Sequence, residues 1–285
     1  MDFFSPLRYP GGKGKVSKYF KQVFLENNLC DSTYVEPYAG GASVALSLLF
    51  SEFASKIIIN DKDKSIYALW NSVLKEPESL CKMIKDCKID VANWEKQRLI
   101  QKTKTEHDLL TLGFSTFFLN RVNRSGIIMA GIIGGKDQTG TWKMDARFNK
   151  VDLIKRIERI ASYSNSIKMY NLDAVQLIKK VEPILTSRSF FYLDPPYFEK
   201  GSVLYMNHYQ MSDHENISNF ISQLKKQKWI ISYDSVDEIK NLYSQFRQLQ
   251  YTINYSASGT SKGKEIMIYS DNLQIPSDPV LNITS

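Results

Sequence analysis

The alternation of short apolar segments with helical stretches constrains the fold of this chain more than any other feature. Six short segments rich in β-branched or aromatic residues have the pattern of buried strands, at 34–36, 56–60, 167–170, 190–193, 229–233 and 265–270. Helical stretches separate most of them, for example 42–50, 213–226 and 236–246. Buried strands that alternate with helices predict an α/β fold with a mostly parallel, helix-covered sheet. Ligands of such sheets bind outside the carboxyl ends of the strands.

One long stretch interrupts this alternation. From Lys62 to about Ser164 the chain is helical, contains a glycine-rich basic loop and shows no strand pattern. Because a whole βα unit takes about 30 residues, a stretch of this length predicts a domain inserted into the sheet domain. The predicted organisation is a sheet domain of 1–61 and 165–273, an inserted domain of 62–164 and a flexible polar tail of 274–285.

Basic residues are concentrated in this insertion. The chain of 285 residues has 37 lysines and arginines and 30 acidic residues, and a net charge of +7 spread evenly would mean little. Between residues 120 and 150, however, there are six basic side chains and only two acidic ones. A local excess of this kind attracts phosphate groups over long distances. A solvated charged surface is the alternative explanation.

The sequence lacks the signals of a membrane, secreted or metal-binding protein. It has no apolar run of about 18 residues, and its first ten residues lack the apolar stretch of a secretory signal. Cys30, Cys81 and Cys87 form neither an even disulfide set nor a C-x-x-C pair, and the three histidines are scattered. We therefore expect a cytoplasmic protein without disulfides, bound metal or a membrane partner.

A glycine turn follows the first predicted strand, in the sequence Tyr-Val-Glu-Pro-Tyr-Ala-Gly-Gly-Ala that ends at Ala42. Gly40 and Gly41 allow a ligand to approach the backbone closely. Asp61 ends the second strand, where an acidic residue can accept hydrogen bonds from ribose hydroxyls. The turn is not G-x-G-x-x-G, and residues 11–15 lack the spacing of a phosphate loop. The pattern favours a nucleoside cofactor without phosphates, with a purely structural turn as the alternative.

A second turn, Asp194-Pro195-Pro196-Tyr197, follows an apolar strand. Proline forces the preceding residue out of the helical region, so this strand end is stiff. A carboxylate and a backbone carbonyl can accept both N–H groups of an aryl amine while the tyrosine ring stacks on the base. Such an arrangement would aim the nitrogen lone pair at an electrophile by positioning and electrostatics. The alternative is an ordinary strand-ending turn with an exposed tyrosine.

In combination, these motifs resemble those of the Dam-type, α-group DNA adenine-N6 methyltransferases, which use S-adenosylmethionine. The segment Arg8–Lys13 is similar to the family's N-terminal cofactor motif, and Glu36–Gly41 to its F-x-G motif, with departures in residue type at Tyr38 and Ala39. The D-P-P-Y turn matches its catalytic motif, and the order of the motifs is that of the α arrangement. The resemblance implies a Rossmann-like methyltransferase fold, with 62–164 as an inserted, mainly helical target-recognition domain.

The resemblance also implies roles for individual residues. The D-P-P-Y residues Asp194, Pro195, Pro196 and Tyr197 would be catalytic, with the Tyr197 ring receiving the target base. The residues implied to bind the cofactor are Tyr9, Lys13, Glu36, Pro37, Ala39, Gly40, Gly41, Asp61, Asp173 and Asp194. The segment 207–209 is a candidate for a loop that closes over the base.

The basic loop of the insertion begins with Asn-Arg-Val-Asn-Arg-Ser-Gly at 120–126. Arginine reads guanine and asparagine reads adenine through paired hydrogen bonds in the major groove, and a similar segment lies in the DNA-binding part of the family. The alternative is that these side chains cap loop carbonyls. The predicted DNA contacts are Asn120, Arg121, Asn123, Arg124 and Ser125, with Lys136, Lys143 and Arg147 on phosphates.

The sequence therefore predicts a monomeric, site-specific methyltransferase that modifies the N6 amine of adenine in double-stranded DNA after flipping the base. A cognate restriction endonuclease is a candidate partner. Two alternatives remain: methylation of an RNA base or a protein amide, whose enzymes usually carry Asn in place of Asp194, and a non-catalytic DNA-binding module. Cytosine C5 chemistry is rejected, because it needs a cysteine nucleophile and no cysteine here follows a proline.

Overall fold

The structure, a computed structural model, describes residues 4–8, 14–199, 209–255 and 261–277. Tyr9, Lys13, Asn207, His208 and the end of the predicted tail lie outside these residues. Two compact units make up the chain: Gly11–Asn60 with Leu172–Ser285, and Asp2–Pro10 with Asp61–Asn171. The division differs from the sequence-based one at the N-terminus, where residues 4–8 belong with the inserted part of the chain, and at residues 61 and 165–171, which the sequence assigns to the sheet domain.

Seven strands form one sheet in the order β3-β2-β1-β4-β5-β7-β6. Neighbouring strands from β2 to β5 pair in parallel, whereas β7 is antiparallel to both β5 and β6. This order confirms the predicted α/β, Rossmann-like methyltransferase fold, because its first five strands follow the doubly wound order. The strands are Ser32–Glu36 (β1), Ala54–Asn60 (β2), Ile167–Tyr170 (β3), Phe190–Leu193 (β4), Lys228–Asp234 (β5), Arg247–Tyr255 (β6) and Ser261–Tyr269 (β7).

The sequence did not predict strand β6. The expected helix at 236–246 is shorter, Asp237–Leu242, and β6 begins soon after it. Its sequence, RQLQYTINY, alternates polar and apolar residues instead of forming a continuous apolar run. That alternation is typical of an antiparallel strand with one face in solvent. The search for buried, parallel-type strands therefore missed it.

The strand order reverses between β1 and β4, which is where open α/β sheets bind their ligands. Glu36 is the last residue of β1, and Asp194 directly follows β4. Because the two strands are parallel neighbours, the glycine turn and the D-P-P-Y turn leave the same edge of the sheet. The fold thus brings together the two motifs that the sequence singled out.

The helices of the first unit cover this sheet. Aromatic side chains fill the core, where Phe24 lies 5.5 Å from Phe190 and Tyr34 stacks on Phe190 at 6.2 Å between ring centroids. All three rings are fully buried. The helices of this unit are Gly14–Glu26 (α1), Ser43–Phe50 (α2), Ala174–Val181 (α8), Met211–Ile221 (α9) and Asp237–Leu242 (α10).

The second unit is mainly helical, as predicted. Between Lys62 and Ser164, a stretch that the structure describes throughout, it has only an isolated bridge between Asn123 and Ile132 and no strand. Its helices are Lys64–Lys75 (α3), Pro77–Asp86 (α4), Val91–Lys102 (α5), Leu109–Val122 (α6) and Lys150–Ser162 (α7). Within the described residues, none of the helices has the length and apolarity needed to span a membrane.

Side-chain caps explain where several helices begin. An aspartate or asparagine immediately before the helix accepts a hydrogen bond from a backbone N–H of the first turn, which has no partner within the helix. The capping residues are Asp63 (α3), Asp90 (α5), Asp108 (α6), Asn149 (α7) and Asp173 (α8). Asp173 is therefore both a cap and one of the predicted cofactor residues.

Candidate active site

The glycine turn has a backbone that few residue types can adopt. Gly40 has a φ of 45°, and Ala42, which caps α2, has a φ of 48°. A backbone hydrogen bond holds the turn, in which the Ala39 N–H donates to the Asn60 carbonyl at 2.8 Å. The Glu36 carboxylate is 5 % exposed and accepts from the Ala45 N–H at 3.3 Å. The positive end of the α2 dipole therefore stabilises this buried charge.

Asn60, at the end of β2, is a residue that the sequence analysis missed. Its side-chain amide donates to the Pro37 carbonyl at 2.9 Å and to the Leu172 carbonyl at 3.0 Å, and its oxygen accepts from the Leu172 N–H at 2.9 Å. Asn60 is 1 % exposed. It thereby ties the glycine turn to the segment that leads into α8. The signal in the sequence that could have identified this residue is an asparagine at the end of the apolar run Ile-Ile-Ile.

Two predicted cofactor carboxylates are already held by the backbone. The Asp61 carboxylate accepts from the Asp63 N–H at 2.9 Å. The Asp173 carboxylate accepts from the Val175 N–H at 3.0 Å, and this side chain also lines a cleft of about 360 Å³ between α8 and α9 with Lys179 and Tyr209. These bonds fix the direction of each carboxylate before any ligand is present.

Asp194 of the D-P-P-Y turn is half-buried and is held by the neighbouring strand. The Ser232 hydroxyl of β5 donates to Asp194 Oδ1 at 2.6 Å, and the Tyr192 hydroxyl lies 2.8 Å from Ser232 Oγ. Tyr192 and Ser232 are fully buried. The carboxylate therefore projects from the sheet edge at the end of a buried hydrogen-bond chain.

Tyr197 is more firmly held than an exposed turn tyrosine would be. It is 7 % exposed, and its hydroxyl donates to Glu265 Oε1 at 2.6 Å. Glu265, on β7, is 1 % exposed and accepts from the Tyr251 hydroxyl with its other oxygen. Burial and this carboxylate raise the pKa of Tyr251 well above its ordinary value, so the phenol stays protonated as a donor. Both rings are thus fixed through one buried carboxylate.

The residues after Tyr197 are held by Asp234 at the end of β5. The backbone N–H groups of Phe198 and Glu199 each donate to one Asp234 carboxylate oxygen at 2.9 Å. Asp234 is 4 % exposed, so these two bonds offset the cost of burying its charge. Sequence reasoning did not identify Ser232, Asp234 or Glu265, which lie far along the chain from the turn that they hold.

A group of aromatic side chains lies beside the glycine turn. The Tyr38 and Tyr209 hydroxyls are 3.1 Å apart, and Tyr233 OH lies 2.9 Å from His214 Nδ1. Burial raises the pKa of Tyr38 well above its ordinary value and lowers the pKa of His214. Burial also raises the pKa of Tyr233 well above its ordinary value, so Tyr38, Tyr233 and His214 are neutral at physiological pH. Tyr209 is the part of the predicted closing loop that the structure describes.

Two asparagines of the predicted DNA contact segment are structural. Asn120 is 2 % exposed, accepts from the Arg8 N–H at 2.7 Å, and donates to the Arg8 and Gly126 carbonyls at 2.8 and 2.7 Å. Asn123 is fully buried, accepts from Trp94 Nε1 at 2.7 Å and donates to the Ile127 and Ile128 carbonyls. Neither amide faces solvent, so we leave both out of the proposed DNA contacts.

Arg121 is half-buried and also bonds to backbone carbonyls of the second unit. Its guanidinium donates to the Arg147 carbonyl at 2.7 Å and to the Pro6 carbonyl at 3.4 Å. Burial and the charge of Arg8 lower the pKa of Arg121. The alternative in which loop arginines bind carbonyls therefore fits Arg121. Among the other predicted contacts, Ser125 is half-buried with a φ of 55°, whereas Arg124, Lys136, Lys143 and Arg147 have exposed side chains.

Replacing Asn123 with alanine should lower the free energy of unfolding by about 3 kcal/mol or more. The change leaves the Trp94 indole N–H and two loop carbonyls without their partner, and each unsatisfied buried group costs about 1–3 kcal/mol. Thermal unfolding monitored by tryptophan fluorescence measures the effect. A variant as stable as the parent would show that Asn123 is free to contact DNA.

Comparison with known proteins gives relatives among methyltransferases. One curated relative, the type II methyltransferase M.CviBI of Paramecium bursaria Chlorella virus NC1A, is 24 % identical over 254 residues, which is 87 % of this chain and 90 % of that protein. Solved structures that align with most of this chain include the SAM-dependent methyltransferase of Agrobacterium tumefaciens. Its identity is 8 % and its TM-score is 0.42, over 91 % of this chain and 62 % of that one. Another is TrmN of Thermus thermophilus, at 8 % identity and a TM-score of 0.38 over 90 % and 52 %.

The family assignment rests on the sequence model that spans both motifs. The model of the D12 class N6 adenine-specific DNA methyltransferases matches residues 9–256, which include the glycine turn, the insertion and the D-P-P-Y turn. The chain therefore belongs to the D12 class N6 adenine-specific DNA methyltransferase family.

Proposed function

We propose that this enzyme methylates adenine N6 at a specific site in double-stranded DNA, and that it does so with the base flipped out of the helix. The observation that carries the proposal is the Asp194–Tyr197 turn at the strand-order reversal, held by buried side chains beside the glycine turn. An amine inside a base pair cannot reach this sheet edge. Enzymes that modify a base therefore extrude it, at a cost of a few kcal/mol.

The residues at this edge fit a cationic nucleoside cofactor. Glu36 and Asp173 provide carboxylates at the end of β1 and at the start of α8, and Asp61 stays a prediction from the sequence. Carboxylates accept hydrogen bonds from ribose hydroxyls and stabilise a nearby cation. The Gly40 turn lets a ligand lie close to the backbone. Pro37, Ala39 and Gly41 complete this turn, and Tyr9 and Lys13 stay predictions from the sequence. S-adenosylmethionine supplies a methyl group bound to a positively charged sulfur.

The D-P-P-Y turn supplies the chemistry that adenine needs. The N6 lone pair is delocalised into the purine ring, so the free amine is a poor nucleophile. In our proposal the two N6–H groups donate hydrogen bonds to the Asp194 carboxylate and the Pro195 carbonyl, which draw the nitrogen toward tetrahedral geometry. The lone pair would then form the new bond to the methyl carbon while the electrons of the carbon–sulfur bond pass to sulfur, and the methylated nitrogen would release one of its two protons to solvent. The turn contributes mainly position and electrostatic stabilisation.

We further propose that Tyr197 stacks on the flipped adenine, with Pro196 supporting the ring. The Tyr197 hydroxyl donates to Glu265, so we expect the base to contact an edge or a face of the ring and not the hydroxyl group. Base stacking on an aromatic ring is worth about 1–3 kcal/mol. That interaction would compensate part of the cost of unstacking the target.

For DNA contact we propose the exposed cations of the insertion. Arg124 has the guanidinium geometry that reads guanine, and Lys136, Lys143 and Arg147 can contact phosphates. Lys136 lies 3.1 Å from Glu95, an exposed ion pair that contributes little and can exchange for a phosphate.

Arg124→Ala and Lys143→Ala should weaken DNA binding in different ways. If Arg124 reads a base, its loss should cost about 1–3 kcal/mol and remove the preference at one position. Lys143→Ala should weaken binding to all duplexes alike and reduce the salt dependence by about one unit. Binding to matched and single-mismatch duplexes at several salt concentrations separates the two. Uniform loss in Arg124→Ala would place the base reader elsewhere.

The experiment that tests the proposed function is transfer of labelled methyl groups to duplex DNA, structured RNA and protein in parallel reactions. We expect label in DNA only, and N6-methyladenine after digestion to nucleosides. Sequencing of DNA from expressing cells by a methylation-sensitive method then gives the recognition site. Label in RNA or protein would support the alternative substrates, and no label in any of them would support a non-catalytic DNA-binding module. The cognate endonuclease, the monomeric state and the cytoplasmic location stay predictions.

A further inference from the structure

One face of strands β5 and β7 carries polar side chains that all meet the catalytic turn. Ser232 and Asp234 are two residues apart on β5 and so point to the same face. Glu265 lies directly opposite Asp234 in the antiparallel ladder, which places it on that face as well. Each is at most 4 % exposed. Buried strands usually present apolar residues, so this polar face needs an explanation beyond packing.

The Ser232 contact has a fixed direction. Ser232 has one hydroxyl proton, which it donates to Asp194 Oδ1 at 2.6 Å. In the contact of 2.8 Å between the hydroxyls of Tyr192 and Ser232, the proton must therefore come from Tyr192. The result is a buried chain in which Tyr192 donates to Ser232 and Ser232 donates to Asp194.

We propose that Ser232, oriented by Tyr192, is a positioning residue for methyl transfer. The last torsion of an aspartate side chain is soft, so a carboxylate at a strand end can rotate unless a partner holds it. By engaging Oδ1, Ser232 sets the plane of the carboxylate and the direction from which it accepts the adenine amine. This inference rests on the proposed role of Asp194. A displacement of about 1 Å at a reacting group can cost about 100-fold in rate.

Ser232→Ala and Ser232→Cys test this role. Cysteine keeps the side chain close to its size, but its S–H is a weak donor, so both variants should lose the orienting bond. We expect the single-turnover rate of DNA methylation to fall about 10- to 100-fold in both. Calorimetric affinities for S-adenosylmethionine and duplex DNA should stay within twofold of the parent. Tyr192→Phe should lower the rate in the same direction but less, because it acts one bond further away.

Ser218→Ala is the matched control. Ser218 is a buried serine on α9 that is 3 % exposed, donates weakly to the Leu242 carbonyl at 3.4 Å and contacts Tyr243, so its change to alanine removes the same atom without removing a bond to Asp194. Its rate should match the parent.

Three outcomes would overturn the inference or the function beneath it. A parental rate in Ser232→Ala, with Asp194→Ala inactive, removes the positioning role and leaves the proposed function intact. A rate loss matched by weaker cofactor or DNA binding and by an equal loss in Ser218→Ala shows a structural role only. A parental rate in Asp194→Ala itself refutes the proposed function of the turn.

Discussion

Replacing Asp194 with alanine should lower the single-turnover rate of methyl transfer at least 100-fold while the protein stays folded. The variant loses the acceptor that we place at the reacting nitrogen, and removing one preorganised polar group from such a site costs about 100- to 1000-fold. A 100-fold loss corresponds to about 2.7 kcal/mol of activation free energy. The side chain is half-buried at a strand end, and its removal leaves the Ser232 hydroxyl without this acceptor, at about 1–3 kcal/mol of stability.

The measurement is transfer of labelled methyl groups at saturating cofactor and DNA, with thermal unfolding as the check on folding. Asp237→Ala provides the control, because that carboxylate is 87 % exposed and pairs only locally with Lys240 at the start of α10. The control should keep the parental rate. If Asp194→Ala retains a rate within tenfold of the parent, the D-P-P-Y turn is not the catalytic centre.

The sheet could be predicted from the sequence because buried strands carry their signal locally. For β3 and β4 the predicted bounds agree with the structure, and the β1 and β2 predictions are short by two residues at the start. The exception, β6, is antiparallel and alternates polar with apolar residues. Its position depends on pairing with β7, a non-local interaction that leaves no continuous apolar run in the sequence.

The two turns of the candidate site could also be located from the sequence, because each is a short run of residues that acts as one turn. The side chains that hold them could not. Ser232 is 38 residues from Asp194, and Glu265 is 68 residues from Tyr197. Only the register of β4, β5 and β7 brings them to the turn, and a serine or glutamate within a strand gives no signal of such a contact.

The predicted DNA-binding segment shows a different limit. Asparagine and arginine suit both base recognition and the capping of loop carbonyls, so residue type alone could not separate these roles. The close approach of the N-terminal segment decides between them. Gly126 has a φ of 76°, and a Cβ there would lie 2.5 Å from the Arg8 carbonyl oxygen, so the loop wraps tightly on Arg8. The Asn120 side chain bonds to the backbone of Arg8 and of Gly126 at this contact. The contact is tertiary, so the local sequence gives no signal of it.

The Tyr197 side chain should show a graded response to truncation. Tyr197→Phe keeps the ring but leaves one oxygen of the buried Glu265 carboxylate without its donor, which should cost about 1–3 kcal/mol of stability. We expect its methylation rate to fall about tenfold, because the ring is no longer held at the angle that the hydroxyl fixes. Tyr197→Ala also loses the stacking surface, worth about 1–3 kcal/mol more. Its rate should fall at least 100-fold, since the two losses act on the same bound base.

Tyr251→Phe separates the orientation of the ring from the stability of the carboxylate. It removes the other hydroxyl that donates to Glu265, so it should destabilise the protein about as much as Tyr197→Phe does. Tyr251 is fully buried on β6, outside the catalytic turn, so its loss leaves the Tyr197–Glu265 bond in place. The two variants should therefore have similar free energies of unfolding but different single-turnover rates. If Tyr251→Phe slows methylation as much as Tyr197→Phe, Glu265 supports the fold of the site rather than the angle of the Tyr197 ring.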